Sequence, residues 1–355
     1  MKVISGVSMA MLFAASDAFS VTRSYATVSV RSERLYSSSG DSYLNSLNST
    51  ASEDSKKVEK EEGTAIPPSH CSPNNATATT SSKEENLTFL QSLGAITGRG
   101  EFASKNQKQA ALVLVTALEA ENPTKEPALA DSIQGRWELV YSSTQLFRSS
   151  PFFMAGRAVC QTESDRKQYD WFCDMHRKSL AISNIGAVRQ IISSNRLVSE
   201  FEVKAGAVPF LSDFTPFKYS GGLPVTIDGA LVSSADWTPT TDGHGFELYM
   251  DTVEVKGSNL PGLRQLLDSG LSLQSRKLAE VLEKNIASYS TPRPIFKTTY
   301  LDNRYRISKD QDGNVFFYVK TSFDSSLTNY SDVDADLGLG RLLEGFNDAV
   351  TRIYL

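Results

Sequence analysis

Cysteine and histidine are the residues in this chain that could bind a metal or supply a nucleophile and its base. Cys173 and His176 have a ligand-like spacing, and Cys160 precedes them. A structural zinc site needs four ligands. A serine or cysteine nucleophile needs a nearby base, for which the folded region offers only His176 and His244. The sequence therefore predicts ordinary thiols, no metal site and no catalytic residues.

A glycine pattern and two missing motifs bear on cofactor binding. Gly98-x-Gly100-x-x-Ala103 fits the loose dinucleotide pattern. That turn requires a buried strand before it, however, and Leu90–Thr97 is interrupted by Gly94. The sequence contains neither a Gly-x-Ser-x-Gly elbow nor a phosphate-binding loop. We therefore expect no cofactor and no enzymatic activity.

Composition argues against a membrane-spanning protein and against a nucleic-acid-binding protein. The chain has 355 residues, of which 40% are hydrophobic and 22% charged, with a formal net charge of −5. After the first fifteen residues no apolar run approaches the roughly 20 residues that span a bilayer, so membrane contact would be peripheral. An acidic chain is also a poor partner for phosphate backbones, which excludes nucleic acid as the main ligand.

The periodicity of apolar residues predicts one helix followed by a series of strands. Ser104 is a candidate N-cap for a helix that ends at Ala120, before Asn122-Pro123. Beyond Asp131 apolar residues recur at every second position. The predicted strand segments are 137–141, 197–204, 225–231 and 246–251, with a hairpin of 304–308 and 315–320 around an Asp-Gly turn.

Consecutive half-buried strands with short connections favour a mainly β fold, an antiparallel barrel whose closure removes exposed edges. Eight strands leave an interior just wide enough for one small apolar ligand. Two short helices, near 260–269 and 273–286, are expected to cap one end. A helical stripe from Leu339 to Ile353 in the C-terminal extension, 321–355, is expected to dock onto the barrel rather than onto a membrane.

If the function is binding, aromatic side chains inside the barrel are the candidate ligand contacts. At any one position, however, plain core is the favoured interpretation, because small barrels normally fill their interiors with side chains. Asp302 and Arg306 are expected to pair at the barrel mouth, where they would either meet a polar head group or form a strand-end salt bridge. The inward candidates are Trp137, Tyr141, Phe201, Trp237, Phe246, Tyr300 and Phe317.

The segment Leu146–Met154 is predicted to be a loop, because Pro151 and a serine pair interrupt any strand. It carries Phe147, Phe152, Phe153 and Met154. Loops rarely expose so much aromatic surface without a partner. Two interpretations remain open, namely insertion into a lipid monolayer and closure of the barrel as a lid.

The first 86 residues have the composition of a targeting sequence followed by a linker. Residues 1–18 have the positive start, apolar stretch and small-residue end of a signal peptide, and 19–36 have the arginine-rich, acid-poor composition of a transit segment. Residues 37–86 are rich in serine and threonine and are predicted to be a disordered linker. The junction around Ala18-Phe19 resembles the bipartite presequences of algal secondary plastids, whereas plain secretion is the alternative.

Several motifs within residues 87–320 resemble the plastid lipid-associated protein, or fibrillin (plastoglobulin), family. The opening motifs are Gly98–Gly100 (GRG), Leu118–Thr124 (LEAENPT) and Gly135–Ser143 (GRWELVYSS). Phe296–Lys309 (FKTTYLDNRYRISK) and Asp312–Phe316 (DGNVF) close the likeness, in the proper order.

That resemblance implies a lipocalin-like barrel in a plastid, on plastoglobules or thylakoids or in the stroma. It implies binding of lipids, carotenoids or prenylquinones at a peripheral membrane or droplet surface, without agreed catalytic residues. The alternatives are a stromal scaffold that supports an enzyme of isoprenoid-quinone synthesis and, less favoured, a barrel enzyme that modifies a lipid or pigment.

Overall fold

A computed structural model describes residues 75–179, 183–206, 226–259, 264–265, 272–287, 289–332 and 335. The predicted signal peptide, transit segment and C-terminal helix lie outside these residues, as does most of the predicted capping helix at 260–269. In the part of the chain that is described, no helix is long and apolar enough to cross a membrane.

Eight antiparallel strands form a closed barrel, which confirms the predicted fold class. The described strands, in chain order, are Gly135–Ser142 (β1), Ser183–Ile192 (β2), Arg196–Gly206 (β3), Thr226–Pro239 (β4), Gly245–Lys256 (β5), Ser272–Gln274 (β6), Ile295–Leu301 (β7), Tyr305–Lys309 (β8) and Val315–Ser322 (β9). The ring runs β4-β3-β2-β1-β9-β8-β7-β5 and closes through the pairing of β5 with β4, while short β6 pairs with β5.

Two helices, α1 (Asn75–Ile96) and α2 (Lys105–Ala120), cover the outside of the barrel. The start of α2 is as predicted, since Ser104 caps it and Gln107 completes a capping box. Leucines of α1 and apolar residues of α2 pack on outward side chains of β1, β7, β8 and β9. The helices therefore cover the outer faces of these strands only in part, since Ile295 and Lys297 of β7 stay exposed.

Helix α1 crosses the predicted boundary at residue 86 and approaches β1 closely. A Cβ at Gly94 would collide with the carbonyl oxygen of Val140, so glycine is required there. Gly98 and Gly100, which suggested a dinucleotide motif, have φ values of 58° and 89° in the turn between two helices. Between them, Arg99 donates to the carbonyl oxygens of Ile185 and Gly186 at 2.7 and 2.5 Å, which anchors the turn to β2.

Three further helices are described after β1. Helix α3 (Pro151–Ala158) follows a 3₁₀ turn at Leu146–Ser149, and α4 spans Glu163–Ser179. Helix α5 (Ser275–Asn285) lies within the second predicted capping segment, 273–286, and contacts β5. Helix α4 has no counterpart in the sequence-based expectations.

Candidate functional site

Four of the predicted aromatic residues lie inside the barrel. Trp137, Phe201, Trp237 and Phe246 are all buried in one core cluster. The rings of Trp237 and Phe246 lie 4.4 Å apart, and the Trp137 indole donates to the carbonyl oxygen of Ile133 at 2.8 Å. Large aromatic side chains therefore fill this part of the interior with apolar surface.

Three other candidates face outward, and their predicted inward orientation is wrong. Tyr141 and Tyr300 each follow a register shift, between Leu139 and Tyr141 in β1 and between Thr298 and Tyr300 in β7. An extra residue at a bulge reverses the alternation of faces beyond it. Phe317 belongs to a strand that is apolar on both faces, where alternation cannot indicate the inward side. All three pack beneath α1 and α2.

The predicted ion pair between Asp302 and Arg306 is also wrong. Asp302 lies at the turn between β7 and β8, where it accepts hydrogen bonds from the Tyr300 hydroxyl at 2.6 Å and from the backbone N–H groups of Arg304 and Tyr305. This carboxylate therefore stabilises the turn. Arg306 points instead to the other face of the sheet, into the barrel.

Arg306 is fully buried and lacks a carboxylate partner among the described residues. Its Nη2 donates to Oε1 of Gln190 at 2.5 Å, whereas Nε and Nη1 have no hydrogen-bond acceptor in the described part of the chain. The guanidinium carbon lies 4.1 Å from the ring centroid of Tyr318 and 5.1 Å from that of Trp137. Burial lowers the pKa of Arg306 to about 10.

A second cation lies at the same indole. The Nζ atom of Lys320 is 4.6 Å from the ring centroid of Trp137 and donates to the carbonyl oxygens of Ser132 and Gln134. Burial, followed by repulsion from Arg306, lowers the pKa of Lys320 to about 8. Two positive groups therefore share one aromatic side chain, and this part of the interior favours an anion.

Polar side chains form a row across three neighbouring strands of the inner wall. Gln190 on β2 lies opposite Ser199 on β3, which lies opposite Ser233 on β4. All three are buried, and the Ser199 hydroxyl has no hydrogen-bond partner among the described residues. On the other side of the barrel, Thr298 and Ser308 are 3.2 Å apart through their hydroxyls. The interior thus combines aromatic surface with a few polar groups that could orient a ligand.

The segment Leu146–Ala158, called the plug below, consists of the 3₁₀ turn and α3. The predicted loop at Leu146–Met154 is therefore wrong, because the serines and Pro151 start a helix here rather than a loop. Helix α3 contacts β3, β4 and β5, and Ala155 packs against Met250 and Val253 of β5. The plug lies across the barrel and joins its core.

The aromatic residues of the plug are inside the protein. Phe147, Phe153 and Met154 are buried, and Phe152 is half-buried against them. The ring of Phe153 lies 4.5 Å from Phe147, and its backbone carbonyl accepts from the Tyr169 hydroxyl of α4 at 2.9 Å. Insertion of these side chains into a lipid monolayer would therefore require the plug to leave the barrel.

Polar contacts fasten the plug at both ends. The Gln190 side chain donates to the Ser149 carbonyl oxygen at 2.7 Å, which links the plug to Arg306 through one residue. Arg148 and Arg157 both contact Asp312 in the β8–β9 turn, at 2.9 and 2.5 Å. Burial alone would lower the pKa of Arg148, but the groups around it, among them Asp312, leave that pKa raised.

The two described cysteines are structural rather than reactive. Cys160 and Cys173 are buried and unpaired with each other. Burial raises the pKa of the Cys160 thiol to about 11 and that of Cys173 to about 12. Because the thiolate is the nucleophile, neither thiol is activated. The side chain of His176 is not among the described parts, and the described residues hold no cluster of three metal-ligating side chains.

A surface groove of about 280 Å³ lies between α2 and the ends of β1 and β9. Lys105 and Lys108 line it together with Leu112, Val115 and Tyr141. Tyr141, a predicted ligand contact, therefore lines this outer groove rather than the interior. A far smaller cavity of about 10 Å³ lies beside the plug, next to Arg148 and Met154.

Sequence reasoning missed α4 and the inward-facing polar residues Gln190, Ser199 and Ser233. Helix α4 had a usable signal, because Thr162 and Asp165 exchange hydrogen bonds as a capping pair and Tyr169, Phe172 and Cys173 recur at helical spacing. The polar residues had none, since a single serine on a strand does not reveal which face is inside.

Residues 85–215 match the family model PAP_fibrillin. The match begins in α1 and includes β1, the plug, α4, β2 and β3. Neither a search of curated proteins nor a search of solved structures gave a significant match.

Proposed function

We propose that this chain is a plastid protein that holds a lipid or isoprenoid in its barrel, since residues 85–215 match the model of the plastid lipid-associated protein, or fibrillin, family. The family is structural and lipid-associated and is not a known enzyme family. The observation that carries the proposal is the aromatic interior of a closed eight-strand barrel, fitted with a helical plug that is fastened by polar contacts. The ligands proposed are carotenoids, prenylquinones or polar lipids.

The helical side of the molecule supplies a surface for association with plastoglobules or thylakoids. Ile96, Phe102, Leu112 and Val113 are exposed around α1 and α2, and Lys105 and Lys108 lie beside them. Exposed apolar residues of this kind support adsorption to a lipid surface. The proposed plastid location, reached by a bipartite presequence, agrees with the family and with the composition of residues 1–36.

Two measurements on the full-length chain test this function. The chain is incubated with β-carotene or a prenylquinone and repurified, and bound ligand is quantified by absorbance after extraction. In parallel, the chain is floated with droplets coated by polar lipid. We expect about one ligand molecule bound per chain and flotation of the chain with the droplets. A chain that neither binds ligand nor floats would overturn the proposal.

A matched pair of variants separates the interior from the surface. Phe102→Asp places a charge in the exposed apolar patch and should reduce flotation while leaving bound ligand unchanged. Leu327→Asp changes another exposed apolar residue, beyond β9, and should leave both unchanged. Binding of a quinone-synthesis enzyme without ligand or flotation would instead favour the scaffold alternative.

A further inference from the structure

Arg306 has fewer hydrogen-bond and charge partners among the described residues than a buried guanidinium needs. A fully buried guanidinium in a low-dielectric interior is costly unless an anion neutralises it and acceptors take its N–H groups. Arg306 has one such acceptor, the Gln190 amide oxygen, and its Nε and Nη1 face none among the described residues. Aromatic rings offset only a part of this cost.

The surroundings of Arg306 add positive charge instead of removing it. A second cation, Lys320, lies on the same Trp137 indole, and its Nζ is bound to two carbonyl oxygens. Polar groups that could accept or donate to a ligand oxygen lie on the neighbouring wall, where Ser199 has an unpartnered hydroxyl beside Gln190. The two cations favour an anion here, and the free N–H groups of Arg306 and the Ser199 hydroxyl can donate to its oxygen atoms.

The rest of the interior defines what the anion is attached to. Beyond the polar row, the barrel is lined by Trp237, Phe246 and Leu248, and the plug adds Phe147 and Phe153 to the same cluster. These side chains are closely packed, so an apolar chain would take the space that the phenylalanines of the plug fill, once the plug leaves the barrel.

We propose that Arg306 binds the carboxylate of an acidic lipid whose apolar chain occupies the aromatic interior of the barrel. This inference rests on the proposed function, since it names the ligand class of the same site. Gln190 connects Arg306 to the plug, because its side-chain oxygen accepts from Arg306 and its side-chain nitrogen donates to the carbonyl oxygen of Ser149. Engagement of the carboxylate and release of the plug would therefore be coupled through Gln190.

The test measures equilibrium binding of sodium oleate, oleyl alcohol and acetate to the full-length chain by dialysis. We expect oleate to bind at least about tenfold more tightly than oleyl alcohol, the size of a charge-assisted hydrogen bond, and acetate to bind far more weakly. Arg306→Met should bind oleate and the alcohol equally. Arg304→Met removes an exposed cation two residues earlier and should retain the preference.

Each alternative outcome has a distinct meaning. Equal binding of oleate and oleyl alcohol by the natural chain would overturn this inference and leave the proposed function intact, whereas binding of neither, nor of carotenoid or quinone, would overturn both. Acetate binding as tight as oleate would overturn the lipid part in favour of a free carboxylate. Retained preference in Arg306→Met would also overturn the inference. Arg306→Gln, which keeps a polar group, replaces that variant if it does not fold.

Discussion

The plug and the barrel wall each bury an arginine, and the two residues have opposite surroundings. Arg148 in the plug meets Asp312 at 2.9 Å and Asp170 at 3.5 Å, and its pKa is raised. Arg306 in the wall meets a neutral amide and aromatic rings, and its pKa is lowered to about 10. The first arginine is neutralised by the protein itself, and the second is not.

This difference distinguishes a structural contact from a binding site. A paired cation such as Arg148 fastens the plug to the β8–β9 turn, so its role is complete within the chain. The lowered pKa of Arg306 corresponds to a cost on the order of 3 kcal/mol at neutral pH. In our proposal the carboxylate of a bound lipid offsets this cost.

The largest expected effect concerns the apolar contribution to plug stability. Phe153→Ala removes a ring that is 2% exposed and contacts Phe147, Phe152 and Phe172. We expect the free energy of unfolding to fall by about 3–5 kcal/mol because a cavity remains. Urea unfolding checks this value. Phe323→Ala, at a position 74% exposed, should change the free energy by less than about 0.5 kcal/mol; equal effects would show that the plug is not part of the core.

The next effect tests the paired arginine. Asp312→Ala leaves Arg148 and Arg157 without their shared carboxylate, and we expect a loss of about 2–3 kcal/mol, below that of a fully buried pair because Asp312 is 26% exposed. Asp170→Ala, which removes the 60% exposed partner, should cost less than about 1 kcal/mol. Urea unfolding of both variants measures the difference. Similar losses would contradict the assignment of Asp312 as the main contact of the plug.

Removal of the unpaired arginine, Arg306, should raise the free energy of unfolding, whereas removal of a partner of the plug contact lowers it. Arg306→Met replaces an uncompensated charge with an apolar side chain of similar length, so we expect the free energy of unfolding to rise by about 1–2 kcal/mol. Arg148→Met should lower it, because Asp312 loses a partner. Thermal unfolding without added lipid checks the sign. A loss of stability in Arg306→Met would mean that the protein already satisfies this charge.

The smallest effect is the pH dependence due to Lys320. Its pKa is lowered from 10.5 to about 8 in the folded chain, so between those values the unfolded chain binds more protons, and the contribution of this residue to stability rises with pH. Partial exposure limits the change to less than about 1 kcal/mol. The difference between the natural chain and Lys320→Met, measured by urea unfolding at pH 7.5 and 9.5, isolates it. A difference that is constant across this interval would contradict the lowered pKa.

The sequence predicted the barrel because alternation survives along most strands, and it predicted α2 because Ser104 caps it. It failed where a strand departs from regularity. The bulges before Tyr141 and Tyr300 reverse the faces of those residues, and Phe317 lies in a strand buried on both sides, where no polar alternation remains. Arg306 was identified as a candidate, but its lack of a carboxylate depends on which residues the other strands turn inward, and only the closed barrel reveals that.

The most direct test of the central claim is to identify the lipids that the protein selects from a mixture. The full-length chain is exposed to equal amounts of acidic and neutral lipids of matched chain length and repurified, and bound lipid is extracted and quantified by mass spectrometry. The account predicts enrichment of carboxylate lipids on the natural chain and equal amounts of acidic and neutral lipid on Arg306→Met. The same profile on both proteins, or no bound lipid on either, would contradict it.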